Sequence, residues 1–532
     1  MRPSPTCRNL LVFCRARVRP TLATSLASSS RPDPTYLVTE KFSFLFFEIN
    51  GFVFRRPLNH LKFSHDQTTN QHESTPIRDV AVIHEDVRRT GNLRTASDLR
   101  FHLSPGGRLR GRLWVPGDKS ISHRAIMLGA IADGVTQVSG FLEGEDSLAT
   151  LGAFRAMGVP IQGPDAGCMR ITGVGLRGLC APRSDLELGN SGTSMRLLAG
   201  LLAGQRFATT LVGDPSLSKR PMRRVTEPLG QIGARIETTD AGTAPLRIAP
   251  VASLRPISYA LPVASAQVKS CLLLAGLYAK GETCVTEPEP TRDHTERMLA
   301  AFGHPVRHAG SRICVTGGER LSACRLEIPG DISSAAFFLV GASIAPGSDL
   351  TLEGVGVNPT RSGVLNILRA MGADIVLMHP RDAGSEPVAD VRVRAAPLQG
   401  IVIPRDQVPL AIDEFPALFI AAACAQGETL LTGAEELRVK ESDRIRVMAE
   451  GLATLGVAVE PRADGIRIVG GDYGGGLVDS GGDHRVAMAF AVAALRADAP
   501  IQVRDCTNVN TSFPGFATLA AEAGLGIEEQ WS

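Results

Sequence analysis

The stretch VPGDKSISHRAIMLGAIADG, residues 115–134, carries both the structural and the chemical pattern of the chain. Pro116, Gly117 and Asp118 are turn residues, and the run that follows is small, apolar and helix-like. Between the two stand Lys119, Ser120, Ser122, His123 and Arg124. Backbone N–H groups and the helix dipole favour negative charge at such a start, so Lys119 and Arg124 could face one anion there. This is not a Walker A loop: the GxxxxGK[ST] spacing is absent, and Asp118 separates Gly117 from Lys119. Seen alone, a basic helix N-cap without a ligand explains these residues equally well.

Outward from this stretch the same helix recurs. RAIMLGAIADGVTQV (124–138), RLLAGLLAGQRFATTLV (196–212), VKSCLLLAGLYAKGETCV (268–285), SSAAFFLVGASIAPGSDLTL (333–352), FPALFIAAACAQGETLL (415–431) and RVAMAFAVAALRADAPIQV (485–503) each read as an Ala/Leu-rich helix, a small turn and a Thr/Val strand. Apolar nearly all round, these helices are expected to be buried. A second element alternates with them: AMGVPI (156–161), QIGARI (231–236), AFGHPV (301–306), AMGADI (370–375), TLGVAV (454–459) and GLGI (524–527). In each, a helix ends at a glycine suited to the left-handed C′ position before a strand. The alternation predicts six similar α/β units with buried helices and outer sheets, three units in each of two domains of roughly 200 residues.

A length of 532 residues is more than one compact core accommodates. The net charge of +2 supplies no global field for nucleic acid, and with 5% aromatics stacking platforms for bases are not expected. No apolar run is long enough to span a membrane. The ten cysteines show no CxxC or Cys/His metal spacing, and are expected to be reduced thiols in a reducing, cytoplasmic compartment. Residues 1–105 differ from the rest. Arg2, Arg8, Arg15, Arg17, Arg19 and Arg31 stand among Ser and Thr with no acid before Asp33, and KFSFLFFEINGFVF (41–54) is an aromatic burst. A targeting leader, an appended element and an upstream misassigned start compete; the last is favoured, with poor order expected for the extension.

Cations gather at the starts of the buried helices. LGNSGTSMR (188–196) offers Asn190, Gly192 and Arg196, with Gly192 allowing close backbone approach to a ligand. SLSKRPMRR (216–224) supplies Arg220 and Arg224, although such a charge run is usually a solvated face. In ASAQVKS (264–270) an N-cap accounts for Ser265, but Gln267 and Lys269 need another explanation. TRDHTERM (291–298) adds Arg292, without zinc-type spacing, and reads equally as a surface helix start. IDEFPAL (412–418) carries Asp413 and Glu414, which could be simple dipole complements. In LRVKESDRIRVMAEGL (437–452), Lys440 and Arg444 share a helix face beside Glu441, and GGDHRVAMAF (481–490) sets Asp483, His484 and Arg485 against a buried helix. Six cationic helix openings with few carboxylates describe a cleft for a strongly anionic ligand, with one or two carboxylates placed to act as acid and base.

PGDKSISHRA, LGNSGTSMR, KRPM, SAQVKS, TRDHTE, NPTR (358–361), IDEFP, EELRVKESDR and DHRVAMAF, in this order over residues 106–530, resemble the 5-enolpyruvylshikimate-3-phosphate synthase family, in particular its class II bacterial members. The resemblance implies a two-domain enolpyruvyl transferase fold of six βαβαββ units. Domain 1 would be 106–118 plus 331–532, and domain 2 would be 119–330. It implies transfer of the enolpyruvyl group of phosphoenolpyruvate to the 5-hydroxyl of shikimate 3-phosphate in the shikimate pathway, with no metal or organic cofactor. The small-molecule substrates would be the only partners, and the chain is expected to act as a monomer. By the resemblance Lys119 contacts both substrates. Ser120, Arg124, Ser265, Ala266, Gln267 and Arg292 hold shikimate 3-phosphate, while Asn190, Gly192, Arg220, Arg444 and Arg485 hold phosphoenolpyruvate, with Gln267 near both. Asp413 takes the 5-hydroxyl proton, Lys440 hydrogen-bonds that hydroxyl, and Glu441 protonates the methylene carbon.

Three departures accompany the resemblance. NTSFPGF (510–516) lacks a Lys that many members carry, and Glu436 stands where some have Asn. Gly192 stands where some glyphosate-tolerant members have Ala, so glyphosate inhibition is expected. Two alternatives compete with this reading. An enolpyruvyl transferase acting on UDP-N-acetylglucosamine usually has a mobile-loop Cys, which GDPSLSKRPM (213–222) lacks. A non-catalytic binder of phosphorylated metabolites would not need both Asp413 and Glu441.

Overall fold

The computed structural model describes the backbone of two short strands within residues 44–57 and the chain from residue 98 to 532. The first unit, residues 1–92, contains one antiparallel hairpin, Phe44–Ile49 paired with Phe52–Pro57. Asn50 and Gly51 stand between its strands in sequence, a pair suited to a tight hairpin turn. Most of the segment expected to be poorly ordered lies outside the described residues. Its last part is a correction: Leu99–Gly107 is a strand, antiparallel to both Ile501–Arg504 and Leu525–Trp531. Leu99, Phe101 and Leu103 alternate into the core at period two, so residues 99–105 belong to the fold rather than to an extension.

The second unit has two hydrophobic cores. One is built from residues 99–115 and 332–525, the other from residues 121–328. Six sheets surround them, three to each core. The repeated pattern is a strand, an inner helix, a strand parallel to the first, an outer helix and two antiparallel strands. Leu186–Glu187, Gly192–Ala203, Thr209–Val212, Arg223–Gln231, Arg235–Glu237 and Leu246–Ala249 form one such unit. In each lobe one unit takes a strand from the far end of that lobe's sequence. Arg325–Glu327 runs parallel to Asp133–Ser139, and the strand Leu99–Gly107 completes the sheet of the last unit.

The inner helices are Lys119–Ile131, Gly192–Ala203, Ala266–Gly276, Ile332–Ile344, Phe415–Ala423 and His484–Ala493. All thirteen residues of Ile332–Ile344 are buried, as its uniformly apolar sequence requires. Small residues let these helices approach closely: a β-carbon at Gly200 would collide with the Cys271 carbonyl oxygen. Each of the six repeat glycines, Gly158, Gly233, Gly303, Gly372, Gly456 and Gly524, has the positive φ that ends a helix before a strand. Among the described residues no helix is long and apolar enough to cross a membrane.

The chain passes between the cores twice, side by side. Asp118 N–H donates to the Pro329 carbonyl (2.8 Å) and Asp331 N–H to the Pro116 carbonyl (2.9 Å). The cysteine expectation is corrected at one pair. Cys284 and Cys314 face each other on antiparallel strands and form a disulfide, whereas Cys180, Cys271, Cys324, Cys424 and Cys506 are not disulfide-bonded. Thirty residues separate the pair, and only strand register brings the two sulfurs together.

Candidate active site

Each inner helix begins at the same cleft between the lobes. Five starts carry a side-chain cap, from Asp118, Ser191, Ser265, Asp331 and Asp483, so their first N–H groups are partly satisfied before any ligand arrives. The cavity there, about 80 Å³, takes Lys119 and Ser120, Gly192 and Thr193, Gln267, Ser333, Asp413, and His484 and Arg485 from or beside those six starts. Converging positive helix ends, together with Arg196, Arg220, Arg292, Arg361 and Lys440 in the wall, make a site for polyanions. On its open side the cavity continues into a groove lined by Ser265, Ala266, Pro262, Pro288 and Ile412.

Asp146, Asp331, Glu436, Asp413 and Glu441 stand among these cations, and the last two share one guanidinium. The Arg444 guanidinium forks between them: Nη1 donates to Asp413 Oδ1 (3.3 Å) and Nη2 to Glu441 Oε2 (2.6 Å), while Nε donates to Asp483 Oδ2 (2.8 Å). Asp413 also pairs with Arg292 and with Lys440 Nζ (3.3 Å), and its carbonyl accepts from Arg485 Nη1 (3.1 Å). Glu441 Oε1 accepts from Arg220 Nη1 (3.4 Å). Burial works to raise both carboxyls. For Asp413 it is outweighed by Arg292, Lys440, Arg485 and Arg444, and for Glu441 chiefly by Arg444 and Arg220, so both are held well below the usual carboxylate range.

The expected site residues fall into three groups. Lys119, Ser120, Gly192, Arg220, Gln267, Arg292, Asp413, Lys440, Glu441 and Arg485 line the main cavity, and Ser265 and Ala266 line its outer groove. Arg444 and Asn190 stand one layer back. Asn190 Oδ1 accepts from Arg220, and its Nδ2 donates to Asp214 Oδ2 (2.7 Å), which orients the Arg220 guanidinium. Arg124 departs furthest from expectation. Its guanidinium is buried and bonded to Thr295 Oγ1 (2.7 Å), Ser270 Oγ (2.8 Å) and the Ser120 carbonyl (2.8 Å). It braces the wall rather than lining the cavity. TRDHTERM is likewise no surface helix start, since His294 is buried and bonded to Glu386 (2.7 Å).

Several cavity residues were absent from the expected set. Asp146 pairs with Lys119, but at the start of an outer helix it looks in sequence like an ordinary dipole complement. Arg196 donates to Gln267 Oε1 (2.5 Å), and Gln267 Nε2 donates to Thr193 Oγ1 (3.1 Å), which fixes the orientation of that amide. His484 has no hydrogen-bond partner for Nε2 among the described residues. Burial, then the Lys119 charge, pull its pKa down to about 3, so it is neutral. Within NTSFPGF, Ser512 Oγ accepts from Lys119 Nζ (2.7 Å), and that segment meets the site through a hydroxyl instead of a cation. Among the pairs that join the two lobes, three are made by arginines in the cleft: Arg292–Asp413, Arg220–Glu441 and the two-pronged Arg224–Glu436 (2.9 and 3.4 Å).

A two-lobed fold of six such units, with a cleft of arginines and lysines around the paired carboxylates of Asp413 and Glu441, defines the enolpyruvyl transferase class. Residues 103–519 match the model of the family described as EPSP synthase (3-phosphoshikimate 1-carboxyvinyltransferase). The 3-phosphoshikimate 1-carboxyvinyltransferase of Alkalilimnicola ehrlichii is 69% identical over 81% of this chain and 96% of its own, and that of Methylococcus capsulatus is 67% identical over 81% and 99%. A solved EPSP synthase structure from Acinetobacter baumannii is 56% identical, with a TM-score of 0.74, over 81% of this chain and all of that one. The chain belongs to the EPSP synthase family.

Proposed function

We propose that this chain transfers the enolpyruvyl group of phosphoenolpyruvate to the 5-hydroxyl of shikimate 3-phosphate, releasing phosphate. The observation that carries this reading is the Arg444 fork, which holds two carboxylates side by side in a cleft of cations from both lobes. Addition needs a base for the hydroxyl proton and an acid for the methylene carbon. Asp413 takes the 5-hydroxyl proton as the oxygen bonds to the enol carbon, Lys440 hydrogen-bonds that oxygen, and Glu441 protonates the methylene. Removal of a proton from the resulting methyl group then expels phosphate from the tetrahedral ketal, with Lys119, Arg220, Arg444 and Arg485 stabilising its charge. Arg292, Ser120, Ser265, Ala266 and Gln267 hold the acceptor, and Gly192 lets phosphoenolpyruvate approach the backbone.

The low pKa of Glu441 bears on this assignment. Arg444 and Arg220 keep it ionised in the structure. When the phosphate and carboxylate of phosphoenolpyruvate take up those guanidiniums, their charge is compensated, and burial then raises the Glu441 pKa. The substrate itself therefore makes Glu441 able to carry the proton it delivers. Closure of the lobes about the paired crossings near Asp118 and Gly330 belongs to the same proposal. It is supported by the three ion pairs that already span the cleft. Action as a monomer in the cytoplasm belongs to the same proposal, and the monomeric state is supported by a site assembled within one chain. The test is phosphate release from phosphoenolpyruvate, with shikimate 3-phosphate and with UDP-N-acetylglucosamine as acceptors. Turnover with the first alone is expected, and no turnover with it overturns the proposal.

A further inference from the structure

Lys269 lies outside the reaction described above, yet it is almost wholly buried, which for a lysine requires compensation. Its Nζ donates to Glu287 Oε2 (3.0 Å) and to the Thr291 carbonyl (3.4 Å), and lies 2.7 Å from Glu296 Oε1. Thr291 Oγ1 in turn donates to Glu287 Oε1. One ammonium thus ties the inner helix Ala266–Gly276 to both ends of the 287–292 loop and to the outer helix His294–Ala301. The residue adjacent to Lys269 on one helix and to Glu296 on the other continues the link, because Ser270 and Thr295 share the Arg124 guanidinium, which also grips the Ser120 carbonyl. Arg292 immediately follows the clamped Thr291, and its guanidinium reaches across the cleft to Asp413.

We propose that Lys269 is a positioning residue for binding of the acceptor substrate: it clamps the 287–292 loop so that Arg292 is presented to the cleft at a fixed height beside Ser265–Gln267. The inference rests on the reading that Arg292 and the Ser265–Gln267 turn hold the acceptor. The physical reason for a lysine here is a compact charge with divergent donors, which bond Glu287 and the Thr291 carbonyl while the ammonium stands against the Glu296 carboxylate of a third element. A buried apolar side chain would fill the space but tie down none of these groups. A merely structural ion pair would stabilise the fold without selecting one substrate.

The test replaces the charges together, because Lys269→Met alone leaves two carboxylates buried without a cation and is expected to unfold the protein. The triple variant Lys269→Met, Glu287→Gln, Glu296→Leu removes all three charges at nearly constant volume. Hydrogen exchange over residues 287–301 in the full chain is read first, since it does not depend on any substrate; this span holds the Glu287 amide bonded to the Ser311 carbonyl and the helix His294–Ala301. Protection at Glu287 and in the first turn of that helix is expected to fall at least tenfold while the 332–344 helix keeps its protection. In steady-state assays the KM for shikimate 3-phosphate is expected to rise at least tenfold, with kcat and the KM for phosphoenolpyruvate changed less than threefold. A milder variant, Glu287→Gln, should move the same two readouts in the same direction. A folded triple variant with unchanged exchange over residues 287–301 overturns the clamp. Loosened exchange with an unchanged KM for shikimate 3-phosphate overturns the positioning role. Inactivity of the unmodified chain toward shikimate 3-phosphate is a failure of the functional reading instead, and leaves the exchange result to judge the clamp.

Discussion

Replacing Gly192 by Ala tests how tightly the cleft is drawn around phosphoenolpyruvate. Gly192 opens an inner helix and has no positive φ, so the backbone accepts a side chain there. The added β-carbon would stand 3.1 Å from Arg220 Nη1, 3.3 Å from Arg196 Nη1 and 3.7 Å from Leu217 Cδ1. The first two distances are short by a few tenths of an ångström. The flexible arginine ends must give way, and folding is expected to be unharmed, since Ala in a compatible helical position stabilises by about 0.4–1 kcal/mol. The cost falls on the ligand. A hydrogen bond to a charged group contributes about 1.5–3 kcal/mol, and pushing Arg220 out of line forfeits part of one, about 1 kcal/mol. That corresponds to a rise of about fivefold in the KM for phosphoenolpyruvate. The KM for shikimate 3-phosphate, gripped from the Arg292 side, should stay within twofold. Glyphosate, expected to compete at the same position, should lose more than the substrate does, because the methyl group occupies space directly beside it. The assay is phosphate release at varied phosphoenolpyruvate with and without glyphosate, alongside a thermal melt. An unchanged KM for phosphoenolpyruvate in a folded variant refutes the placement of Gly192 and Arg220 around that substrate, and so does a wild-type chain insensitive to glyphosate at high concentration.

Other consequences are equally accessible. Glu441→Gln removes the methylene acid but keeps a neutral side chain of the same shape; kcat should fall by about 10²–10⁴-fold while calorimetry gives a shikimate 3-phosphate Kd within threefold of wild type. Near-normal turnover would take Glu441 out of the donor role. His484 is neutral in the fold, with a pKa of about 3 against an ordinary 6.5. Between those values the unfolded chain binds more protons, so stability drops as pH falls from 6.5, by up to about 1.4 kcal/mol per pH unit for this one group. His484→Gln should flatten that slope in urea titrations between pH 6.5 and 4, and an identical slope would contradict a buried neutral imidazole. Breaking the cross-cleft pair by Glu436→Gln should weaken closure, seen as a larger radius of gyration by X-ray scattering and a raised KM for both substrates. Identical scattering profiles with and without substrates in the wild-type chain would argue against closure itself.

Much of the site was legible because its motifs sit at helix starts, where a polar run abuts an apolar one. Arg124 shows the limit of such reading. Its spacing from Lys119 is the same whether it faces the ligand or, as the structure has it, Thr295 and Ser270 in the wall. Asp146 and Lys269 show a second limit. An acid at a helix start and a lysine in a helix both have ordinary solvated explanations, and only their partners from distant segments give them a place in the site.

The periodic record alone was enough for the six units, their buried helices and the glycine that ends each outer helix, because burial on all sides and a left-handed C′ residue are local demands that leave a local trace. It was also enough for the family, whose motifs run in order along the chain. Folding decided what no local pattern encodes. The strand Leu99–Gly107 joins the last unit because its hydrogen-bonding partners lie some 400 residues away, at the other end of the chain. The sulfurs of Cys284 and Cys314 meet because two strands pair in one register. Arg444 can hold Asp413 and Glu441 together, and Lys269 can clamp the loop behind Arg292, because six helix starts from two lobes converge on a single cleft. Side-chain partners are a property of that convergence, and a sequence records only the residue types that make it possible.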